Sequence, residues 1–353
     1  MARRVLFDAL AARYGGGAYA AVQLARHLAA RPEVSRLLVV TRGGSIVQRG
    51  LADDPAVECR ALAPAAHVEL LRRTAWEAVR LPRLVAQEQC DVVMTMSGLL
   101  RVGAGQPLIC LLGNPVMYER QTPANLLRRW AVDRTVRRAT YTAAPSRLMA
   151  DLVSGSSGRP CAVLAWGVDH GVFSPVARAG EEILCVADFY AHKRHDLVID
   201  AWLRLREPRP VLRLLGNPGA DPRTHARLLA RIASLPDAES IALEYNVPLG
   251  RLVAAYRSAR VFVMASEHES FCMPLAESMA CGVPGVVRGL RSLRETGGDG
   301  AAYVDSDDPS QWAAAIERLL VDDREHDRAR KRATGTAARF SWETCSATLA
   351  GHL

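Results

Sequence analysis

Apolar residues in this chain fall into short unbroken runs separated by longer stretches of helical spacing. Residues 4–9, 36–40, 57–61, 92–95 and 107–112, and then 182–187, 211–215, 259–265 and 283–287, are branched, apolar runs of strand length. That is the pattern of strands covered on both faces. Residues 18–30, about 68–87, 124–138 and near 224–235 space their apolar positions three and four apart, and Ser146 and Ser310 each head a further helical stretch. Strand and helix alternate along the whole chain, which predicts a parallel α/β architecture. A chain of 353 residues is long enough for two such domains, each with its own core.

One stretch carries more than fold. Residues 259–265 (ARVFVMA) read as a buried strand, residues 266–273 as a polar loop, and Pro274 as the opening of a helix. Proline suits that position because its missing N–H has no intrahelical acceptor to lose. Gly282 and Pro284 stop the helix, and residues 283–287 form the next strand. Glu269 in the loop and Glu277 one turn into the helix stand eight positions apart, with the Glu277 side chain leaning toward the helix N-terminus. The amides of Ser270, Phe271, Cys272 and Met273 are expected to face out of the helix mouth. With the positive end of the helix they make an anion site. Two acids at a helix start would, taken alone, fit a solvated helix end equally well.

The string Glu269-Ser-Phe-Cys-Met-Pro274-Leu-Ala-Glu277-Ser-Met-Ala280-Cys-Gly282-Val-Pro284 resembles the E-x7-E signature of the retaining glycosyltransferases of family 4, which usually reads E-G-F-G-x-P-x-x-E-A-M-A-x-G-x-P-V-V. Phe271, Pro274, Glu277, Met279, Ala280, Gly282 and Pro284 match in register. Ser270 and Cys272 replace the family's glycines and narrow the room beside the backbone. Trp166-Gly167-Val168-Asp169, running on to Phe173 and Pro175, resembles the family's hinge, with Trp166 in place of an asparagine. Asp188 to Lys193 falls where the family has G-R-L-x-x-x-K, so Lys193 is in register and Asp188 occupies the arginine position. The resemblance implies a GT-B fold, with two Rossmann-like domains facing a central cleft. Residues 1–167 would be the acceptor domain, residues 168–337 the nucleotide-sugar donor domain, and a C-terminal helix, 338–353, would cross back to pack on the first.

The resemblance also implies a retaining transferase that moves a sugar from a nucleotide-diphosphate sugar to an acceptor hydroxyl on a glycan, a lipid-linked glycan or a small natural product. Lys193, with Arg194 as a second cation, and the amides of Ser270, Phe271, Cys272 and Met273 would steady the departing diphosphate without a metal. Glu277 would chelate the ribose hydroxyls, and Glu269 would meet the sugar and the positive charge of its transition state. Gly16 and Gly17 would approach the donor phosphates. Asn114 stands where many relatives carry a histidine, so it is a candidate acceptor contact that can hydrogen-bond but cannot act as a base. Neither a cofactor nor a metal is expected: Asp305-Ser-Asp307 looks like a metal-binding D-x-D but sits in a turn that ends in proline. A nucleotide-sugar epimerase or hydrolase of the same fold, or a non-catalytic sugar-nucleotide-binding partner, remains open, given Asp188 and Asn114.

Composition adjusts this picture in two places. No apolar run reaches membrane-spanning length, and eight cysteines include no C-x-x-C pair, so reduced thiols and a cytoplasmic location are expected. The net charge of +8 is uneven, because residues 1–167 hold 22 arginines against 12 acidic residues. Lysine is confined to Lys193 and Lys331. Arginine lies beside apolar residues at Arg72, Arg73, Trp76, Arg80 and Arg83, and again at Leu126, Leu127, Arg128, Arg129, Trp130, Arg134, Arg137 and Arg138. A solvated face is the plainer reading of both. The functional one is peripheral contact with an anionic membrane, at its inner face, or with a phosphate-bearing acceptor. No nucleic acid is expected, since no binding motif accompanies the charge.

Overall fold

The computed structural model describes residues 2–12, 15–62, 69–98, 105–119, 122–177, 180–219 and 221–353. The chain divides into two compact units, Met1–Gly167 with Trp342–Leu353, and Val168–Ser341. In the first unit β1 (Arg3–Asp8), β2 (Val34–Arg42), β3 (Val57–Leu62), β4 (Val92–Thr95), β5 (Leu108–Leu111), β6 (Tyr141–Ala144) and β7 (Ala162–Val163) form one parallel sheet in the order β3-β2-β1-β4-β5-β6-β7. The four central residues of β4 and of β5 are all buried, as unbroken apolar runs require. The helices Gly15–Ala29, Glu69–Gln87, Pro123–Val136 and Arg147–Ser157 connect these strands. The predicted start of the second of these, at Val68, lies outside the described residues. Ser146 heads its helix by accepting the Met149 N–H at 3.3 Å, and Gly158, at φ 71°, ends it in the left-handed region.

The second unit repeats the plan. Its strands are β8 (Glu182–Val186), β9 (Leu212–Gly216), β10 (Ile241–Tyr245), β11 (Ala259–Met264), β12 (Gly285–Arg288) and β13 (Ala301–Val304), all parallel, in the order β10-β9-β8-β11-β12-β13. The winding reverses between β8 and β11, and the crevice beyond the carboxyl ends of such strands is where open α/β sheets bind ligands. The loops that leave β8 and β11 carry Lys193 and Glu269. Residues 301–304 pair with β12 as the edge strand β13, and β6, β7, β10 and β13 were not foreseen.

The chain crosses between the units at Gly167/Val168 and again at Ser341/Trp342, and Val168 forms an isolated bridge with Ser341. The helix Asp323–Ala337 belongs to the second unit. The last helix, Trp342–Ala350, lies in the first, where buried Trp342 sits near the His27 ring and Glu343 pairs with Arg31 at 2.7 Å.

Candidate functional site

The two loops that leave the switch point are joined directly. After β8 the Asp188 carboxylate accepts the Asn217 N–H at 3.1 Å, so this acid is held on the end of β9. Burial raises its pKa, against the opposing pull of that N–H and of Lys193. A short 3-10 turn, Ala191–Lys193, follows, and Arg194 takes the left-handed region at φ 52°. The Glu267 N–H then donates to the His192 carbonyl at 2.8 Å, stitching the β8 loop to the β11 loop. Across this seam Lys193 Nζ donates to Glu269 Oε1 at 2.6 Å, with the side chains only 17% and 10% exposed. Burial works against the ammonium, but Glu269, Cys272 and Asp188 together raise its pKa, so the cation is secure.

Beyond Glu269 the chain turns into the helix Met273–Ala280. The expectation of an open loop is corrected here: Ser270, Phe271, Cys272 and Met273 are all buried. Phe271 and Met273 carry too much apolar surface to be left in water, and Phe271 meets Phe340 edge-on at 5.1 Å. The Glu269 carbonyl accepts from Ser292 Oγ at 2.8 Å and the Phe271 carbonyl from Thr296 Oγ1 at 2.6 Å, which fixes the peptide planes. The N–H groups of Ser270, Cys272 and Met273 nevertheless donate to no acceptor among the described residues. Buried, undonated amides are rare in folded proteins because each costs about 1–3 kcal/mol. The start of a helix is where such donors favour a negative charge. Cys272 adopts φ 68°, a conformation that favours glycine.

Glu277 follows one turn later. It is 5% exposed, and its Oε2 accepts the Tyr256 hydroxyl at 2.8 Å, while Oε1 has no partner among the described residues. Burial pushes its pKa up to about 7, with the tyrosine pulling the other way. Tyr256 is itself fully buried and braced edge-on by Phe173 at 5.8 Å, so the hinge segment supports the helix that carries Glu277.

Other residues singled out by the sequence are placed differently. Arg194 is heavily engaged by carboxylates: Nη1 bonds Glu267 at 2.9 Å and Asp307 at 3.3 Å, and Nε bonds both Asp196 oxygens at 3.2 Å. These carboxylates take three of the guanidinium's five donors, those on Nε and Nη1, and leave the two on Nη2. Asp305 and Asp307 are paired with Arg294 at 2.7 Å and Arg288 at 2.6 Å. Buried His195 packs beside Phe189, and burial lowers its pKa to about 4. In the first unit Gly16 and Gly17 lie in the first turn of the helix Gly15–Ala29, and a Cβ on Gly17 would meet no atom within 4 Å. Asn114 is exposed, and its Oδ1 accepts the Val116 N–H at 3.1 Å, which leaves its NH2 donors and a second oxygen lone pair to bond a ligand. Sequence reasoning missed Tyr256 as Glu277's partner and Ser292 and Thr296 as supports of the loop. Tyr256 is a hydroxyl at the end of the apolar run Leu252-Val-Ala-Ala, whereas Ser292 and Thr296 sit in the polar helix Arg291–Gly297 and carried no local signal.

The model for "Glycosyltransferase Family 4" matches residues 14–172 and that for "Glycosyl transferases group 1" matches residues 175–336. The chain is 32% identical over 205 residues to a D-inositol 3-phosphate glycosyltransferase of Thermobispora bispora, covering 52% of this chain and 48% of that one. It is 39% identical over 100 residues to an O-antigen chain mannosyltransferase B of Escherichia coli, covering 28% of this chain and 26% of that one. The chain spans about half the length of the curated D-inositol 3-phosphate relatives it matches. Among solved structures, Anabaena HepE in complex with UDP-glucose superposes with a TM-score of 0.83 at 16% identity, covering 99% of this chain and 98% of that one. Sucrose-phosphate synthase of Thermosynechococcus elongatus gives 0.82 at 18%, covering 98% and 97%. Identities this low speak for the fold, which is the α/β GT-B type with two Rossmann-like units. The two family matches together run from residue 14 to residue 336, and the chain belongs to glycosyltransferase family 4.

Proposed function

We propose that the protein transfers a sugar from a nucleotide-diphosphate donor to an acceptor hydroxyl, with retention of configuration and without a metal ion. The reading rests above all on the undonated amides of Ser270, Cys272 and Met273 beside the buried Lys193–Glu269 pair. An ammonium has three donors, so Lys193 keeps two for phosphate oxygens after bonding Glu269. Lys193 and the amides would carry the negative charge that develops on the diphosphate as its bond to the sugar C1 breaks. The acceptor oxygen would bond C1 from the same face, and its proton would pass to a departing phosphate oxygen. Glu269 would meet the sugar and the positive charge at C1. The free Oε1 of Glu277 would take ribose hydroxyls. Gly16 and Gly17 would lie along the phosphates, and the Asn114 amide near the acceptor.

Thermal melts with UDP, GDP, dTDP and ADP test this, because a ligand that binds only the folded state raises its stability. One diphosphate should raise Tm, and the matching sugar nucleotide should release it only when an acceptor is added. Glu269→Ala should lower kcat by on the order of 100-fold or more, and Glu277→Ala should weaken donor binding most. Release without acceptor would make the protein a hydrolase, and binding without release a non-catalytic partner. Either result overturns the transferase reading.

A further inference from the structure

The helix Pro123–Val136 of the first unit is built inside out on one side. Its inner face is ordinary: Val132 and Val136 pack with Cys110, Leu112, Met149 and Val153. Its outer face is not. Leu126, Leu127 and Trp130 are 50%, 63% and 51% exposed, among the few large apolar side chains this open. Leu127, Trp130, Arg134 and Arg138 follow one another at helical steps of three and four, so they form a single stripe. Arg134 lies over the Trp130 ring at 5.8 Å, and Arg138, just past the helix end, is exposed with no side-chain partner among the described residues. The one acid of the helix, Asp133, is turned inward and buried.

A helix that faces only water places polar groups outward. Apolar side chains leading an arginine-bearing stripe instead match the boundary of an anionic bilayer, where leucine and tryptophan enter the acyl edge and arginines meet phosphates. We propose that this face docks peripherally on anionic lipid. Among the described residues no helix is long and apolar enough to cross a membrane, and docking of this kind needs none. The arginines seen in the sequence do not contribute equally. Arg129 is bound to Ser156 at 2.7 Å and Arg137 to the Ser157 carbonyl at 3.1 Å, so the stripe and its leading apolar residues carry the contact.

The experiment is sedimentation of the full chain with vesicles of phosphatidylglycerol and phosphatidylcholine, against pure phosphatidylcholine. The wild type should pellet with the anionic vesicles and be released by salt. Leu127→Gln/Trp130→Gln should remain in the supernatant, and Arg134→Gln/Arg138→Gln should lower partitioning by on the order of fivefold per arginine removed. The Leu127/Trp130 variant should melt within a degree or so of wild type, since both side chains are at least half exposed, and Arg138→Gln alone, at an exposed position, keeps a charge variant of unchanged stability beside the half-buried Arg134. Equal pelleting of wild type and variants, no pelleting of wild type, or a wild-type dimer in sedimentation velocity that the Leu127/Trp130 variant dissolves would each overturn the proposal; the last would make the face a protein interface.

Discussion

Glu277 is the residue whose protonation decides most. Burial holds its carboxyl up to about 7, and the Tyr256 hydroxyl favours the charged form. A carboxylate accepts ribose hydroxyls at both oxygens, whereas a carboxylic acid loses part of that capacity. Nucleoside diphosphate affinity should therefore be full above this pKa and fall as pH drops through about 7. Tyr256→Phe removes the hydrogen bond that supports the charge, raises the pKa and shifts the fall toward higher pH. At neutral pH the variant should bind roughly tenfold or more weakly, given about 1.5–3 kcal/mol for a hydrogen bond to a charged group. Calorimetric titration of both proteins across this range checks it. A variant curve that is weaker but not displaced in pH would reduce Tyr256 to a packing residue.

At the scale of elements, the segment from β11 to β12 was legible because its signals are local. An unbroken apolar strand, Pro274 in the first helical turn and Gly282 at φ 77° each declare their own conformation. The edge strands β10 and β13 were not legible: Glu244 interrupts the first, and the second, Ala-Ala-Tyr-Val, is a four-residue run of mostly small side chains, half-buried at the sheet edge. The residue Cys272 lies between these cases. Its register marked a family glycine, but the reason appears only in its backbone, where φ 68° strains any side chain. Cys272→Gly should relieve about 1 kcal/mol of that strain, offset in part by greater freedom of the unfolded chain. Net stability should stay level or rise. Cys272→Val, branched at Cβ, should cost about 2 kcal/mol or more. Urea unfolding of the two variants distinguishes them, and a valine variant as stable as the glycine variant would remove the strain argument.

Across the whole molecule, the site is made by contacts that no local pattern reports. Lys193 meets Glu269 from 76 positions away, Arg194 bonds Asp307 from 113 away, and Tyr256 reaches Glu277 from 21 away. Local patterns pick out these side chains as chemical groups, but not the partners that occupy them. The same long-range logic closes the chain. Its last helix lies in the first unit, whereas Lys193, Glu269, Tyr256 and Glu277 all lie in the second. Trp342 is 2% exposed, so Trp342→Ala leaves a large cavity beside the helix Gly15–Ala29 and should cost the first unit about 3–5 kcal/mol. On the proposed reading Lys193, Glu269, Glu277 and the loop amides, all in the second unit, carry most of the donor contact, and only Gly16 and Gly17 lie in the first, so donor affinity should change little. Calorimetric scanning should show a lower transition moving down, while the stabilising nucleoside diphosphate still shifts a second transition as in wild type. If affinity falls in step with stability, the donor site is not the property of the second unit alone.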